Sequence, residues 1–245
     1  MSGFMNKNLL LTTAYLLLTL ICASSCSQRF MVNTLKKRNP NVLFSVDTTE
    51  PLIAITIDDG PHPKVTPHIL DMLAEYGAKA TFFITGSRIE GNEAIIQRMV
   101  DEGHEIANHM MTGKPSIWLS EVDFENQLLK TDSLLREFDE PIWMRPAFGF
   151  FNEQMLRQLK EENYLIALGS VYPFDNELPF VGYISNYILR HTRSGDIIIL
   201  HDGKPGRIRT VKVLEQILPQ LKDTGYSFVT LSELAFYDYS PCLTE

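Results

Sequence analysis

The sequence predicts an α/β fold: about seven parallel strands with helices packed outside them. Three observations carry this expectation. From residue 51 onward, short apolar runs alternate with amphipathic segments of helical period. The runs are nearly continuous in Ile, Val, Leu and Phe, as strands buried on both faces are. Polar residues able to do chemistry follow directly on the ends of several of these runs.

Taken in order, Leu52 to Ile57 reads as the first strand and stops at Asp58-Asp59-Gly60-Pro61. "VTPHILDMLAEYG" sets Val65, Ile69, Met72, Leu73 and Tyr76 on one helical face. "KATFFIT" is the second strand, "NEAIIQRMVDEG" a helix ending at Gly103, and "HEIANH" the third strand. "SEVDFENQLLKTDSLLREF" is amphipathic through Phe124, Leu128, Leu135 and Phe138, with Ser120 placed as its N-cap. Strand "PIWMRPA", helix "NEQMLRQLKEEN" and strand "YLIALGS" continue the alternation. Helix "FVGYISNYILRHT", strand "DIIILHD", helix "IRTVKVLEQILPQLKDTG" and strand "YSFVTL" complete it. Seven parallel strands joined by right-handed crossovers suit either a barrel short of eight or an open sheet.

The 245 residues, 44% hydrophobic, are enough for one good-sized domain. A formal net charge of -8 argues against a nucleic-acid partner, which needs a basic face. Leu9 to Ser24 is uncharged and shorter than the ~20 apolar residues that span a bilayer comfortably. It fits an export signal, with Ala23 and Ser25 as the small residues of a cleavage site. "ASSC", ending at Cys26, loosely resembles a lipoprotein attachment site. Arg29, Lys36, Lys37 and Arg38 after the apolar run oppose export, since positive charge tends to stay on the cytoplasmic side. The expected organisation is 1–26 signal peptide or membrane anchor, 27–50 linker, 51–235 domain and 236–245 tail. The expected location is the cell envelope or beyond, with membrane attachment through the N-terminus. Cys22, Cys26 and Cys242 do not suggest a disulfide framework.

In parallel α/β folds, chemistry gathers at the C-terminal ends of strands. Asp58 and Asp59 end the first strand, His109 the third and Arg145 the fourth; Asp175 follows the fifth, and His201-Asp202 end the sixth. Adjacent side chains in a strand point to opposite faces, so Asp58 and Asp59 cannot flank one glycosidic bond as a glycosidase pair does. A tight Asp-Gly-Pro turn can bring both to the rim in unlike environments. One then binds a cation and the other takes a proton, the division of labour of metal-assisted hydrolysis.

"TIDDGP", "EIANH", "MRPAFG" and "IIILHD", in this order, resemble the motif series of the polysaccharide deacetylases with a NodB-homology domain, which are carbohydrate esterases. The similarity spans residues 51 to 235. It implies a distorted (β/α) barrel, a divalent metal (zinc, with cobalt as a substitute), and removal of acetyl groups from chitin-like or peptidoglycan-type polysaccharides or oligosaccharides. By position, it implies Asp58 as base, Asp59 and His109 as metal ligands, and Arg145 as the residue holding the base. It further implies the Phe148 N–H as an oxyanion donor, His201 as acid, Asp175 as the carboxylate tuning His201, and Ile199 and Leu200 as the acetyl slot. Asn176 stands where the family usually has tryptophan. Phe150 and Phe151 are expected to touch substrate.

The family's second histidine, four residues after the first, is Gly113 here. His104 lies roughly 16 Å from His109 along an extended strand and cannot replace it. His62, Thr112 and Ser116 stay open as sources of a third ligand. Gly113 also supports a competing expectation, a glycan-binding domain that keeps the groove and has lost catalysis.

Overall fold

A computed structural model of the chain describes residues 25–239, with side chains from 29 to 237. The chain divides into two compact units, one ending at Pro40 and one beginning at Asn41. In the first, Ser25–Arg38 forms helix α1, closing on Lys36, Lys37 and Arg38, charges that suit the negative end of a helix dipole. The expected export segment lies outside the described residues except for its last two positions. No described helix is long and apolar enough to cross a membrane.

The second unit runs β1 (Val42–Leu43), β2 (Leu52–Asp58), α2 (Thr66–Tyr76), β3 (Ala80–Ile84), α3 (Glu93–Asp101), β4 (Glu105–Asn108) and α4 (Glu121–Leu135). It continues through β5 (Trp143–Met144), α5 (Glu153–Glu161), β6 (Leu165–Ala167), α6 (Val181–His191), β7 (Ile197–His201), α7 (Ile208–Asp223), β8 (Ser227–Val229) and α8 (Leu231–Tyr239). The strands lie in the order β1-β6-β5-β4-β3-β2-β7, with β8 on β2. Every ladder is parallel.

The sheet closes into a distorted barrel through a thin seam just past β6. There Val171 bridges Ile198, and the Ile199 N–H reaches the Val171 carbonyl at 3.0 Å. The distortion has a second source. Ala54 of β2 pairs with both Ile197 of β7 and Val229 of β8, so β8 takes the edge that β3 uses higher up. β1 falls in the expected linker and makes eight strands instead of seven; two residues are too few to show a period. The expected strand 141–147 shrinks to two residues, flanked by Pro141 and Pro146, which have no N–H to give a ladder. Helix α8 runs into the expected tail.

The period of two sorts each strand. Ile53, Ile55 and Ile57 of β2 point outward to a core shared with Ile69, Leu70 and Leu73 of α2 and with Val213, Leu214 and Ile217 of α7. Helix α2 ends where Gly77 takes φ 62, a left-handed cap that returns its N–H to the Ala74 and Leu73 carbonyls. Ser120 caps α4 as expected, accepting the Asp123 N–H at 3.1 Å.

The inward set includes Ala54, Phe83, Ala107, Trp143, Ala167 and Ile197, packed on Leu231, Leu234 and Ala235 of α8, which plugs the lower end. Glu105 of β4 secures the plug. It accepts from the Thr81 hydroxyl at 2.7 Å, from the Leu231 N–H at 3.1 Å and from the Ser232 hydroxyl. Trp143 Nε1 donates to the same Ser232 hydroxyl at 2.8 Å. A carboxylate at a helix N-terminus also meets the positive end of the dipole. Glu105→Ala is therefore expected to destabilise the fold by about 1–3 kcal/mol in urea unfolding, since it strands several buried donors.

Candidate active site

The residues singled out in the sequence converge on one rim. Asp58 ends β2 and is the register partner of His201, which ends β7, so their backbones are one strand spacing apart, about 4.8 Å. His109 follows β4, Arg145 follows β5, and Asp175 lies beyond the seam.

Asp59 turns the chain out of β2 with φ 75, and this lets two adjacent carboxylates share the mouth. Left-handed backbone costs a residue with a Cβ about 1–3 kcal/mol and is found where function demands it. Met110 (φ 63), Phe148 (φ 67) and Phe174 (φ 60) pay a similar penalty beside His109, Arg145 and Asp175. The turn is locked by two glycines. A Cβ on Gly60 would meet Asp202 Oδ1 at 2.3 Å, and one on Gly203 would meet Asp59 Cβ at 2.5 Å. The Asp-Asp-Gly and His-Asp-Gly turns therefore press together at a distance that no side chain permits.

Arg145 is fully buried inside the barrel. One of its amino groups donates to Asp58 Oδ1 at 2.6 Å and to the Thr56 hydroxyl at 2.8 Å. The other reaches the Leu168 carbonyl and Nε reaches the Ala167 carbonyl, both at 3.0 Å. The guanidinium lies 3.9 Å from the centre of the Phe83 ring, a cation–π contact. Burial pulls the guanidinium down from its usual range, against the support of Asp58.

His109 Nδ1 lies 2.8 Å from the Arg145 carbonyl. A carbonyl only accepts, so Nδ1 carries a proton; Nε2 faces Asp59 Oδ1, 3.5 Å away, donating to it when the ring is charged and offering a lone pair to a cation when the ring is neutral. Burial alone would raise Asp59. The hydrogen bond and charge of His109, with His201 and Lys204, instead hold it well below the usual carboxylate range. Asp59 and His109 thus offer two convergent donors to a divalent ion. Among the described residues, no third His, Cys, Asp or Glu joins them. His62 Nδ1 accepts the Lys64 N–H, the Thr112 hydroxyl donates to Gln127, and the Ser116 hydroxyl is buried. His104 belongs to the core: it takes the Ala80 N–H on Nδ1, and burial followed by Lys79 depresses it to about 4.

His201 Nδ1 lies 2.8 Å from Asp175 Oδ1. Burial alone would lower this histidine, but Asp175, with smaller help from Asp58 and Asp59, raises it to about 9. Phe148 sits in a 3₁₀ turn, Ala147–Gly149, with its ring exposed. Ile199 and Leu200 part company. Ile199 pairs with Thr56 and is partly exposed on the inner face, whereas Leu200 pairs with Ile57 and is buried against the outer helices. Leu200 therefore does not line an acetyl slot; the period of two sends it to the other side of the sheet.

Three supporting residues escaped the sequence reading. Asn108 Oδ1 accepts the Met110 N–H at 2.9 Å and so shapes the turn carrying His109. Thr66 accepts the His62 N–H at 2.8 Å and donates its own hydroxyl to Asp202 Oδ2. Asp202 was noticed at its strand end but given no role. Burial, against the Thr66 bond and with repulsion from Asp59, pushes it up to about 7. Each is an ordinary polar residue, and the local sequence carries no sign of its partner.

The chain matches the family model described as "Polysaccharide deacetylase" over residues 45–167. It is 40% identical over 201 residues to a peptidoglycan-N-acetylglucosamine deacetylase of Bacillus cereus, covering 81% of this chain and 94% of that one. A crystal structure of the Bc1960 peptidoglycan N-acetylglucosamine deacetylase superposes with a TM-score of 0.76 at 33% identity, covering 79% of this chain and 92% of the other. A family 4 acetyl xylan esterase from Clostridium thermocellum, solved with a cobalt ion, superposes with a TM-score of 0.70 at 32% identity, covering 76% and 90%.

The buried pair at the centre of this arrangement supplies a direct test. Arg145→Met leaves Asp58 buried without its cation, and equilibrium unfolding should show a loss of about 3–5 kcal/mol.

Proposed function

The chain belongs to the polysaccharide deacetylase family, and from that premise we propose that it removes N-acetyl groups from envelope glycans, peptidoglycan first among them. The observation that carries this reading is the meeting, at one rim, of a base held by an arginine, a two-donor cation site and a histidine held by a carboxylate. The peptidoglycan preference follows the Bacillus cereus relative, 40% identical over most of both chains. Such a substrate lies outside the cytoplasm, in keeping with an N-terminal export segment and attachment at the membrane.

Asp59 and His109 would hold the divalent ion, zinc or cobalt, with its remaining places left to water or substrate. Bound there, such an ion supplies a polarised acetyl carbonyl and a more acidic water. Arg145 ties up one oxygen of Asp58 and aims the carboxylate, so that its second oxygen takes the proton of the attacking water. The Phe148 N–H donates to the oxygen that gains charge as the carbonyl carbon becomes tetrahedral. His201, with Nδ1 fixed on Asp175, gives its Nε2 proton to the sugar nitrogen as the C–N bond breaks, releasing acetate and the free amine. Ile199 forms the apolar wall beside the acetyl methyl.

A second reading, glycan binding without turnover, draws on Gly113. Acetate release from peptidoglycan and chitin oligomers, with Zn²⁺ or Co²⁺ and then with chelator, separates the two. Chelation should abolish release and Asp58→Asn should lower it by about 10²–10⁴-fold. Release indifferent to both would overturn the mechanism, and binding without release would select the second reading. Nothing lies within 4 Å of a Cβ built on Gly113, so a side chain can leave the backbone there without a clash, as Gly113→His requires. It should tighten Zn²⁺ binding in calorimetry if the site is one ligand short.

The active form of His201 is protonated, so activity should fall as pH rises through a value near 9. Asp175→Asn removes the main raising partner and should move that alkaline limb down toward about 6.5, the ordinary histidine value. A limb that stays in place would remove His201 from the acid role.

A further inference from the structure

Asp175 orients His201, yet both of its carboxylate oxygens are committed to that one residue: Oδ1 to the imidazole at 2.8 Å and Oδ2 to the backbone N–H at 3.0 Å. Asp175 lies in the irregular chain between β6 and α6, where no ladder fixes the backbone, and it follows Phe174 in its left-handed conformation. Something else must hold this segment against β7.

The partner is Arg207, 5% exposed, in the short turn Pro205–Arg207 that opens α7. One amino group donates to the Asp175 carbonyl at 2.6 Å. The other reaches the Asn176 carbonyl at 3.3 Å and also the Asn176 side-chain oxygen. Arg209 adds a donor to the Asp175 carbonyl at 2.8 Å. A guanidinium carries five N–H groups in a rigid fork and can read several acceptors at once; a lysine ammonium cannot hold them in fixed geometry. The three acceptors belong to two consecutive residues, and the fork therefore sets both the height and the twist of that segment. Thr210, in the first turn of α7, donates to the His201 carbonyl at 2.7 Å and ties the same helix start to the end of β7.

We propose that Arg207 is a positioning residue for the deacetylation: it clamps the backbone of Asp175 and Asn176 so that the Asp175 carboxylate meets His201 at hydrogen-bond distance. Asn176 is the second anchor of the clamp. The acid, the carboxylate that orients it and the arginine that orients the carboxylate form a closed loop, His201 to Arg207 along the chain and Arg207 to Asp175 to His201 through space. The kinetic part of this inference rests on the function proposed above; the structural part does not.

The test compares Arg207→Gln, Arg207→Lys, Asp175→Asn and the double variant Arg207→Gln/Asp175→Asn. The first readout is the His201 Nδ1–H resonance in proton NMR of the full chain, which reports the bond to Asp175 directly. It should broaden or move upfield in Arg207→Gln. The second readout is acetate release: kcat should fall about tenfold or more with KM little changed, the range usual for partners that orient a catalytic group. Arg207→Lys, which keeps the charge and N–H donors without the rigid fork, should fall between wild type and Arg207→Gln. The double variant should be no slower than Asp175→Asn alone, because the clamp acts through that carboxylate. An unchanged resonance with an unchanged kcat, or losses that add in full in the double variant, overturns the proposal. Should Arg207→Gln fail to fold, Arg207→Lys and Asn176→Ala carry the same comparison, each removing part of the clamp. A wild-type chain that releases no acetate would refute the proposed function, while the resonance would still decide the role of Arg207.

Discussion

A cation sealed inside a narrow barrel is the constraint around which the rest is arranged. Arg145 cannot be desolvated there without full compensation, and the surroundings supply it: a carboxylate, a hydroxyl, two carbonyls and an aromatic face. The same residue organises both halves of the site. Its guanidinium aims Asp58, and its own carbonyl fixes the tautomer of His109 and turns the other ring nitrogen toward Asp59. Base and cation site are therefore coupled through a single backbone position.

Around that centre, the molecule concentrates strain where it is useful. Asp59, Met110, Phe148 and Phe174 all take left-handed backbone within a residue or three of a group placed in the site, and of the other described residues that are not glycine only Asn163 does so. What holds Asp59 is tight opposition. The turn after β2 and the turn after β7 touch through Gly60 and Gly203, and Thr66 and Asp202 bind the first turn to α2 and to β7. A conformation that would relax in isolation is retained because its neighbours leave no room.

Most of the scaffold was legible in the sequence because it rests on period and order. Seven apolar runs alternating with helices place the strands, and Asp58, His109, Arg145 and His201 at their ends place the rim. The failures are where these signals stop. Val42–Leu43 is too short to show a period, and the seam at Val171 is a single bridge inside what reads as loop. Leu200 was assigned to the pocket by motif position, although the alternation that puts Ile199 inside must put it outside. Thr66, Asp202 and Arg207 act through partners about 30 to 136 residues away, and proximity of that kind leaves no mark on the local sequence.

Helix α8 stops the barrel's lower end, with Leu231, Leu234 and Ala235 pressed against Trp143 and Phe83. A bore corked in this way cannot be threaded by a polymer. Whatever long chain arrives must lie across the opening, and only a short pendant arm can dip toward the aspartates. Such geometry trims a strand's ornaments and leaves its length alone.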